Sequence, residues 1–208
     1  MDVFKEALRY MGYGKNEPDL IVRESLEKAY EILKKQSTPK SVSNIFDIEV
    51  HNSEVRFEGH VIESRNLSKN LRGCGRAVFF AATLGAGADM AIRRFSKTDM
   101  PLAVIADAVA TAMIEEYCDE ICLSFKEQGY HLRPRFSPGY GDFDIKHQKD
   151  FMNILMFHKK IGLTVTDSLM LAPSKSVTAI MGIGDKEDNC ILEGCEVCTK
   201  TDCPYRRD

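Results

Sequence analysis

The feature that most constrains the fold of this chain is a long helical pattern between residues 101 and 128. Pro101 stands in the first helical turn, a position that proline favours, and apolar residues then recur at helical spacing. The apolar positions are Leu102, Ile105, Val109, Met113, Ile114, Tyr117, Ile121 and Phe125. The pattern lacks a strict heptad, so we expect this helix to face a domain core rather than a coiled-coil partner.

Runs of β-prone residues occur in adjacent pairs along the chain. Residues 45–50 and 55–61 flank a short polar stretch, which predicts a hairpin, and the apolar run 77–84 predicts a buried strand. Two more strands are predicted at 164–172 and 177–183. Helices are predicted at 4–11, 18–35, 64–71, 87–95 and 145–161. Adjacent pairing of strands, rather than βαβ alternation, predicts an α+β fold with an antiparallel sheet.

The chain divides into three parts by composition. Residues 35–41 are a polar linker, because Pro39 cannot continue the preceding helix. We therefore expect an N-terminal helical segment at 1–40, an α+β core at 41–185 and a cysteine-rich tail at 186–208. At 208 residues the chain needs no disulfide framework to fold.

Charge and hydropathy exclude several classes of partner. A formal net charge of −3 argues against bulk electrostatic binding of nucleic acid. No apolar run approaches the roughly 20 residues of a membrane-spanning helix, and the charged N-terminus lacks the apolar core of a secretory signal. We expect a cytoplasmic protein with neither a nucleic-acid nor a membrane partner. In that compartment, clustered cysteines more often signal metal or redox chemistry than disulfides.

A glycine-containing turn at residues 83–89 follows a predicted strand and precedes a predicted helix, as a dinucleotide-binding turn would. The third glycine of that fingerprint is replaced by Met90, and Asp107 lies inside the long helix instead of ending a second strand. The sequence therefore predicts a tight turn here and argues against a nicotinamide enzyme.

Residues 133–144 form a loop with the composition of a binding site. Two prolines stiffen it, and two glycines allow its backbone to approach a ligand closely. Its two guanidinium groups suit a carboxylate, and its aromatic rings suit a planar or cationic group. Composition alone leaves open whether this is a binding loop or a rigid surface turn.

The run 135–140, Arg-Phe-Ser-Pro-Gly-Tyr, resembles the Arg-x-x-x-Gly-Tyr motif of the activation domain of cobalamin-dependent methionine synthase. The resemblance continues into the following helix and through the run 161–170, IGLTVTDSLM. It ends with Pro173 and Ser176-Val177, where the family has a proline and Ser-Val. In all it covers roughly residues 100 to 184, and the ordered set is more specific than any one motif.

The resemblance implies a twisted antiparallel sheet with flanking helices that binds S-adenosylmethionine. In the family this domain supports the reductive methylation that rescues cobalamin from its inactive cob(II) state. Arg135 would hold the methionyl carboxylate, and Gly139 would let the backbone close on the ligand. Tyr140 would lie between the ligand and the corrin, as the catalytic candidate. Phe136 and Ser137 belong to the same motif and are expected at the same ligand site.

The chain also departs from the family. After the tyrosine the family has Cys-Pro-Asp-His, whereas this chain has Phe143-Asp144-Ile145-Lys146. The family's acidic residue for the ligand amino group has no evident equivalent here; Glu115 and Glu116 are candidates. The resemblance implies a stand-alone activation domain. Its partners would be an electron donor and either a corrinoid-binding protein or a methionine synthase without its own activation domain, which would carry the cobalamin.

The tail contains four cysteines within 14 residues, with four, two and four residues between them. They are Cys190, Cys195, Cys198 and Cys203. Four thiolates satisfy either tetrahedral zinc or an iron–sulfur cluster. The spacing begins like a plant-type ferredoxin run, but the fourth cysteine comes too early for that fold. Zinc and an iron–sulfur cluster both stay open, as do a disulfide and inert thiols.

Two other functions fit the same sequence. One is a small metal- or iron–sulfur-binding redox protein whose 133–144 loop is only structural. The other is a module that senses S-adenosylmethionine, or docks a partner, without taking part in chemistry. Whether the chain is an enzyme in its own right stays open at this point.

The remaining cysteines and histidines have simpler interpretations. Cys118 and Cys122 lie beside apolar helix positions and are expected to be buried thiols, and Cys74 is expected to be structural. His158 shares an apolar helix stripe and is expected to be a core histidine with its hydrogen bonds satisfied. His147 lies close to the loop, and the sequence does not decide its role.

Overall fold

The computed structural model describes residues 2–14 and 16–184. The helices are α1 (Val3–Tyr10), α2 (Leu20–Gln36), α3 (Arg65–Asn70), α4 (Ala86–Thr98), α5 (Met100–Glu127), α6 (Gln148–Leu155) and α7 (Phe157–Lys160), with a 3₁₀ turn at Ile145–His147. The strands are β1 (Lys40–Asp47), β2 (Glu49–Val50), β3 (Glu54–Phe57), β4 (His60–Glu63), β5 (Arg76–Thr83), β6 (His131–Leu132), β7 (Thr164–Val165), β8 (Leu171–Ala172) and β9 (Ser176–Gly184).

The main sheet has four antiparallel strands in the order β1-β5-β9-β6. β5 lies in the interior of this sheet and pairs along its whole length with both neighbours. Thr83, its last residue, pairs with Lys40 of β1 and with Ser176 of β9. Seven of its eight residues are buried, as expected for a strand that is covered on both faces. The predicted buried strand at 77–84 is thus confirmed.

Alternate residues of β5 face two different cores. Val78, Phe80 and Ala82 belong to a first core that contains buried residues of α1, α2, α4 and α5. Ala77, Phe79 and Ala81 belong to a second core that contains buried residues of α3, α6, α7 and the small sheet β2-β3-β4. The period-2 alternation of a strand therefore explains how one apolar run supports two layers of structure.

The long helix is confirmed at α5, where Asp99 accepts a hydrogen bond from the Leu102 amide as its N-cap. Its predicted apolar stripe supplies several residues of the first core. Buried residues of α1 and α2 share that core, while the division of the chain at residues 40 and 185 stays a prediction. Among the described residues, no helix combines the length and the apolar character needed to cross a membrane.

The prediction of single strands at 45–50 and 55–61 was wrong in detail. β1 begins earlier and ends at Asp47, and the buried Ile48 then donates its amide hydrogen bond to Gly75 before β2 enters the small sheet. The second run contains a tight hairpin, because Glu58 and Gly59 both have positive φ, at 46° and 78°. Positive φ at both central residues is what the two-residue hairpin turn requires.

Two later elements also differ from prediction. The helix predicted at 145–161 is a 3₁₀ turn followed by α6 and α7, because Met156 adopts a left-handed conformation with φ of 50°. The strand predicted at 164–172 is instead a two-stranded hairpin, β7 and β8, closed by hydrogen bonds between Thr166 and Met170. Gly85, with φ of 82°, forms a turn between β5 and α4 that packs against Thr38.

Candidate functional site

The motif loop runs along the edge of the main sheet. After α5 and β6, the Arg133 amide donates to the Gly182 carbonyl at 2.8 Å. Phe136 then forms a β-bridge with Ile180, in which both N···O distances are 2.9 Å. Residues 133–136 therefore extend the sheet beside β9, and their side chains point alternately to its two faces.

Arg135 points toward α5. Its Nη2 donates to Glu115 Oε2 at 3.0 Å and to Asp119 Oδ1 at 2.9 Å, and these carboxylates lie four residues apart on one helix face. The side chain is 21% exposed, against 26% for Glu115 and 44% for Asp119. The guanidinium is thus held in a fixed, partly desolvated position over the helix.

The other terminal nitrogen of Arg135, Nη1, is buried and has no hydrogen-bond partner within the described part of the chain. A buried donor without a partner costs about 1–3 kcal/mol, and more when it is charged, so such an atom in a native protein calls for an acceptor. A carboxylate is an acceptor that a guanidinium binds well. The residues present therefore fit an anionic group at this point.

The two acidic candidates on α5 have different contacts, and their proposed role toward the ligand amino group stays a prediction. Arg135 pairs with Glu115 and, among the described residues, does not pair with Glu116. Burial raises the pKa of Glu116 above its usual value. Asp119 was missed, although its four-residue spacing from Glu115 is a signal that the sequence does contain.

Phe136 points to the opposite face of the sheet from Arg135. Its ring stacks on Phe143, with the centroids 6.3 Å apart and the planes 14° from parallel. Phe143 is 1% exposed and lies in the second core, where Phe136 packs against it. The structure thus separates Phe136 from the arginine that it follows and gives it a packing role in the core.

The tip of the loop is a compact turn that presents Tyr140. The Gly139 amide donates to the Phe143 carbonyl at 2.7 Å. The Tyr140 amide donates to the Ser137 carbonyl at 3.2 Å, and the Phe143 amide donates to the Tyr140 carbonyl at 2.9 Å. Gly139 has φ of 95°, which glycine adopts readily and other residues rarely. Tyr140 is 66% exposed, so an aromatic ring stands at the tip of a rigid turn.

Asp142 ties this turn to α3. Its carboxylate accepts hydrogen bonds from Ser64 Oγ at 2.5 Å and from the amides of Arg65 at 2.8 Å and Asn66 at 3.1 Å. The hydrogen bond from Ser64, followed by those from the two amides, lowers the pKa of Asp142. Asp144 accepts from the Lys146 amide at 2.9 Å at the start of the 3₁₀ turn, and this bond lowers its pKa. The loop is therefore anchored by β9 on one side and by α3 on the other.

The second stretch of the resemblance also contacts α5. Lys175 Nζ lies 2.8 Å from Asp107 Oδ1 and donates to Thr111 Oγ1 at 2.9 Å. Positions 107, 111, 115 and 119 recur every four residues, so Lys175 and Arg135 contact one continuous stripe of the helix. Beside Lys175, Ser174 donates through its amide and its hydroxyl to Asp89 of α4, at 2.7 and 2.8 Å.

The other candidate residues have structural environments. Cys118 is buried, as predicted, and burial raises its pKa to about 12, whereas Cys122, also predicted to be buried, is only half-buried. Cys74 is buried, in keeping with the structural role expected of it. His147 is buried, and its Nδ1 lies 2.7 Å from Asp150 Oδ2. His158 is half-buried, and its buried Nδ1 has no hydrogen-bond partner among the described residues, so the expected satisfaction of its hydrogen bonds is not confirmed.

The four tail cysteines, Cys190, Cys195, Cys198 and Cys203, lie outside the described residues. Within residues 2–14 and 16–184, no group of three or more histidine, cysteine, aspartate or glutamate side chains is arranged to hold a metal ion. The zinc and iron–sulfur hypotheses therefore stay predictions about the tail.

Comparison with known proteins identifies the fold. No protein-family model matches the chain, and no curated protein matches it. Among solved structures, the chain is similar to the crystal structure of the MetH reactivation domain bound to AdoHcy, with a TM-score of 0.61 and 13% sequence identity. The similarity covers 91% of this chain and 78% of that one. The predicted α+β architecture is confirmed, and the fold of this protein is that of the MetH reactivation domain.

Proposed function

We propose that this protein binds S-adenosylmethionine at the 133–144 loop and assists reductive methylation of the cobalamin of a methionine synthase or another corrinoid methyltransferase. The observation that carries the proposal is the Arg-x-x-x-Gly-Tyr run on an anchored loop, in a fold similar to a MetH reactivation domain bound to AdoHcy. Neither the motif nor the fold would suffice alone, since one fold hosts many functions.

Arg135 is the proposed anchor for the methionyl carboxylate. Glu115 and Asp119 accept hydrogen bonds from its Nη2, whereas its buried Nη1 has no acceptor among the described residues and is available to a ligand. The same two carboxylates are partly exposed, and they provide negative charge close to the place where the amino group of the ligand would lie. One cluster of three side chains would thus recognise both charged groups of an amino acid moiety.

Tyr140 and Gly139 are the proposed residues at the reacting end of the ligand. Hydrogen bonds of the turn at residues 137–143 hold the Tyr140 backbone and its ring is exposed, so a corrin brought by a partner would meet the ring without rearrangement of the loop. Ser137 closes this turn through its carbonyl, which assigns it a shaping role. Phe136 would act on the site through its packing against Phe143.

The methyl group of a sulfonium is already activated, so the protein mainly has to position it and exclude water. Cobalamin, bound to the partner, would accept the methyl group once an electron donor has reduced it. The present chain would contribute ligand binding and a surface for the corrin protein. Its tail cysteines, if they hold an iron–sulfur cluster, would supply a route for the electron, and zinc would give the tail a structural role.

Calorimetric titration of the anaerobically purified full chain with S-adenosylmethionine tests the binding step. Loss of the charge-assisted contact from Nη1 in Arg135→Ala should weaken binding by about 1.5–3 kcal/mol, or roughly 10- to 150-fold. Arg135→Lys retains the charge but not the planar fork, and we expect an intermediate affinity. Arg94→Ala, at an exposed position on α4, is the matched control and should bind like the wild type.

The functional step is tested by methyl transfer to cob(II)alamin on a corrinoid protein under reducing conditions. Transfer that depends on Tyr140 supports the proposal, and tight binding without transfer would favour a sensing module. Absence of S-adenosylmethionine binding, together with a visible absorbance that is lost on replacing Cys190, Cys195, Cys198 and Cys203, would favour the redox-protein alternative.

A further inference from the structure

A basic cleft lies beside α3, the helix to which Asp142 anchors the motif loop. A cleft of about 250 Å³ is bounded by the turn between β2 and β3 on one side and by α3 on the other. The residues that give it its character are His51, Asn52, Arg65, Ser68, Lys69 and Arg72. None of the described residues that line the cleft carries a carboxylate.

The geometry of α3 explains the concentration of positive charge. Arg65, Lys69 and Arg72 are spaced by four and three residues, which puts them on one face of the helix and its C-terminal turn. Leu67 and Leu71 are fully buried in the second core, and they fix the orientation of the helix. The basic face is therefore held toward the β2–β3 turn by packing on the opposite face.

The described acidic groups nearest to Arg65 and Arg72 have other partners. Asp142 is engaged by Ser64 Oγ and by two backbone amides at the start of α3. Glu49 lies 3.9 Å from His51 Nε2, and its side chain is 76% exposed. Within the described part of the chain, neither Arg65 nor Arg72 forms an ion pair, so two guanidinium groups are available to a ligand.

We propose that this cleft binds the phosphate or diphosphate group of a small phosphorylated molecule. Guanidinium groups bind phosphate oxygens in a bidentate manner, and the Asn52 side chain adds a neutral donor. The cleft is smaller than the roughly 300–1,000 Å³ of pockets that enclose drug-sized ligands, so the charged group binds in it while the rest of the molecule stays outside. An apolar ligand is excluded, because the lining is mostly charged or polar.

The site is independent of the proposed S-adenosylmethionine site, since that ligand carries no phosphate. The two sites nevertheless share a structural element. Asp142 caps α3, and Gly141 of the motif loop lies against the Asn66 side chain with no room for a Cβ. A ligand in the cleft would therefore contact α3, the same helix that anchors the motif loop.

The test uses isotope-labelled full-length protein titrated with inorganic pyrophosphate, inorganic phosphate and ADP at constant ionic strength. We expect saturable shifts of the amide resonances of His51, Asn52 and Gly73, with pyrophosphate binding more tightly than phosphate. If ADP binds more tightly than pyrophosphate, the ligand class is a nucleotide. If ADP and pyrophosphate bind equally tightly, the cleft recognises the diphosphate group alone. Shifts confined to Gly139 and Tyr140 would instead assign the anion to the motif loop and overturn the proposal.

The double variant Arg65→Gln/Arg72→Gln should weaken pyrophosphate binding about 10-fold or more, since it removes both available guanidinium groups. Arg93→Gln/Arg94→Gln makes the same charge change at exposed positions on α4 and should alter the affinity less than about twofold. An equal loss in both double variants would show non-specific attraction and refute the site. Arg72→Lys, which retains charge without the fork, should fall between the wild type and the double variant.

Discussion

Replacement of Arg135 by methionine tests whether this arginine is a structural clamp as well as a proposed ligand anchor. Methionine keeps much of the aliphatic volume but removes the charge and the donors that Glu115 and Asp119 accept. Exposed ion pairs contribute about 0–1 kcal/mol, and breaking a buried pair costs about 3–5 kcal/mol. The three side chains are 21%, 26% and 44% exposed. We therefore expect a loss of about 2 kcal/mol, after allowing for solvent screening.

A loss of that size lowers the melting temperature by about 4–8 °C in a chain of this length. Urea unfolding followed by far-UV circular dichroism measures the free energy directly. Arg23→Met is the matched control, because its pair with Glu17 has side chains that are 55% and 84% exposed. We expect that control to lose less than about 0.5 kcal/mol.

Neutralising the partners separates the electrostatic cost from the packing cost. In the triple variant Arg135→Met, Glu115→Gln, Asp119→Asn, no uncompensated carboxylate remains beside the site of the lost guanidinium. We expect this variant to recover to within about 1 kcal/mol of the wild type, since neutral replacements for an ion-pair cluster are often tolerated. The reasoning is refuted if Arg135→Met is as stable as Arg23→Met, or if the triple variant is less stable than the single one.

Three further changes test the local arguments. The free energy of unfolding of Asp142→Asn should decrease less in acid than that of the wild type. The pKa of Asp142 is lowered on folding, so the stability that this carboxylate contributes is present above its unfolded pKa and is lost as the pH falls through its folded pKa. Urea unfolding at a series of pH values between 6 and 3 measures the difference. Gly139→Ala should lose about 1–2 kcal/mol by urea unfolding, because φ is 95° there, whereas Gly75→Ala, with open space around its Cβ and no positive φ, should not. In a variant with the four tail cysteines replaced by serine, Cys74 and Cys118 should resist thiol reagents in the native protein and react in denaturant. Rapid labelling of Cys118 in the native protein would contradict its burial and its pKa of about 12.

The elements that sequence reasoning found were those whose burial pattern is continuous. α5 repeats its apolar positions over 28 residues, which predicts a helix. β5 is apolar along nearly its whole length, which predicts a buried strand. The short strands at 49–63 were merged, because a left-handed Glu58 before Gly59 is a weaker turn signal than Asn-Gly or Asp-Gly. The break at Met156 has no glycine or proline to mark it.

The candidate site was predictable in composition but not in arrangement. The motif selected Arg135 and Tyr140, and the structure gives them the environments of a fixed cation and an exposed ring. That Phe136 turns away from Arg135 follows from the β-bridge to Ile180, which is a pairing between residues far apart in sequence. Asp119 was missed although it lies four residues from Glu115, because that spacing does not by itself show that both carboxylates face Arg135.

The two stretches of the resemblance are separated in sequence by the 3₁₀ turn, α6 and α7, yet both contact α5. Lys175 contacts α5 at Asp107 and Thr111, and Arg135 contacts it at Glu115 and Asp119. Because these four positions recur every four residues, one stripe of α5 fixes the distance between the motif loop and the start of β9. The long helix that dominates the sequence therefore does more than fill the core. It supports both segments through polar contacts on the same helix, so a substitution at Asp107 or Thr111 would act directly on Lys175 and would reach the motif loop through α5.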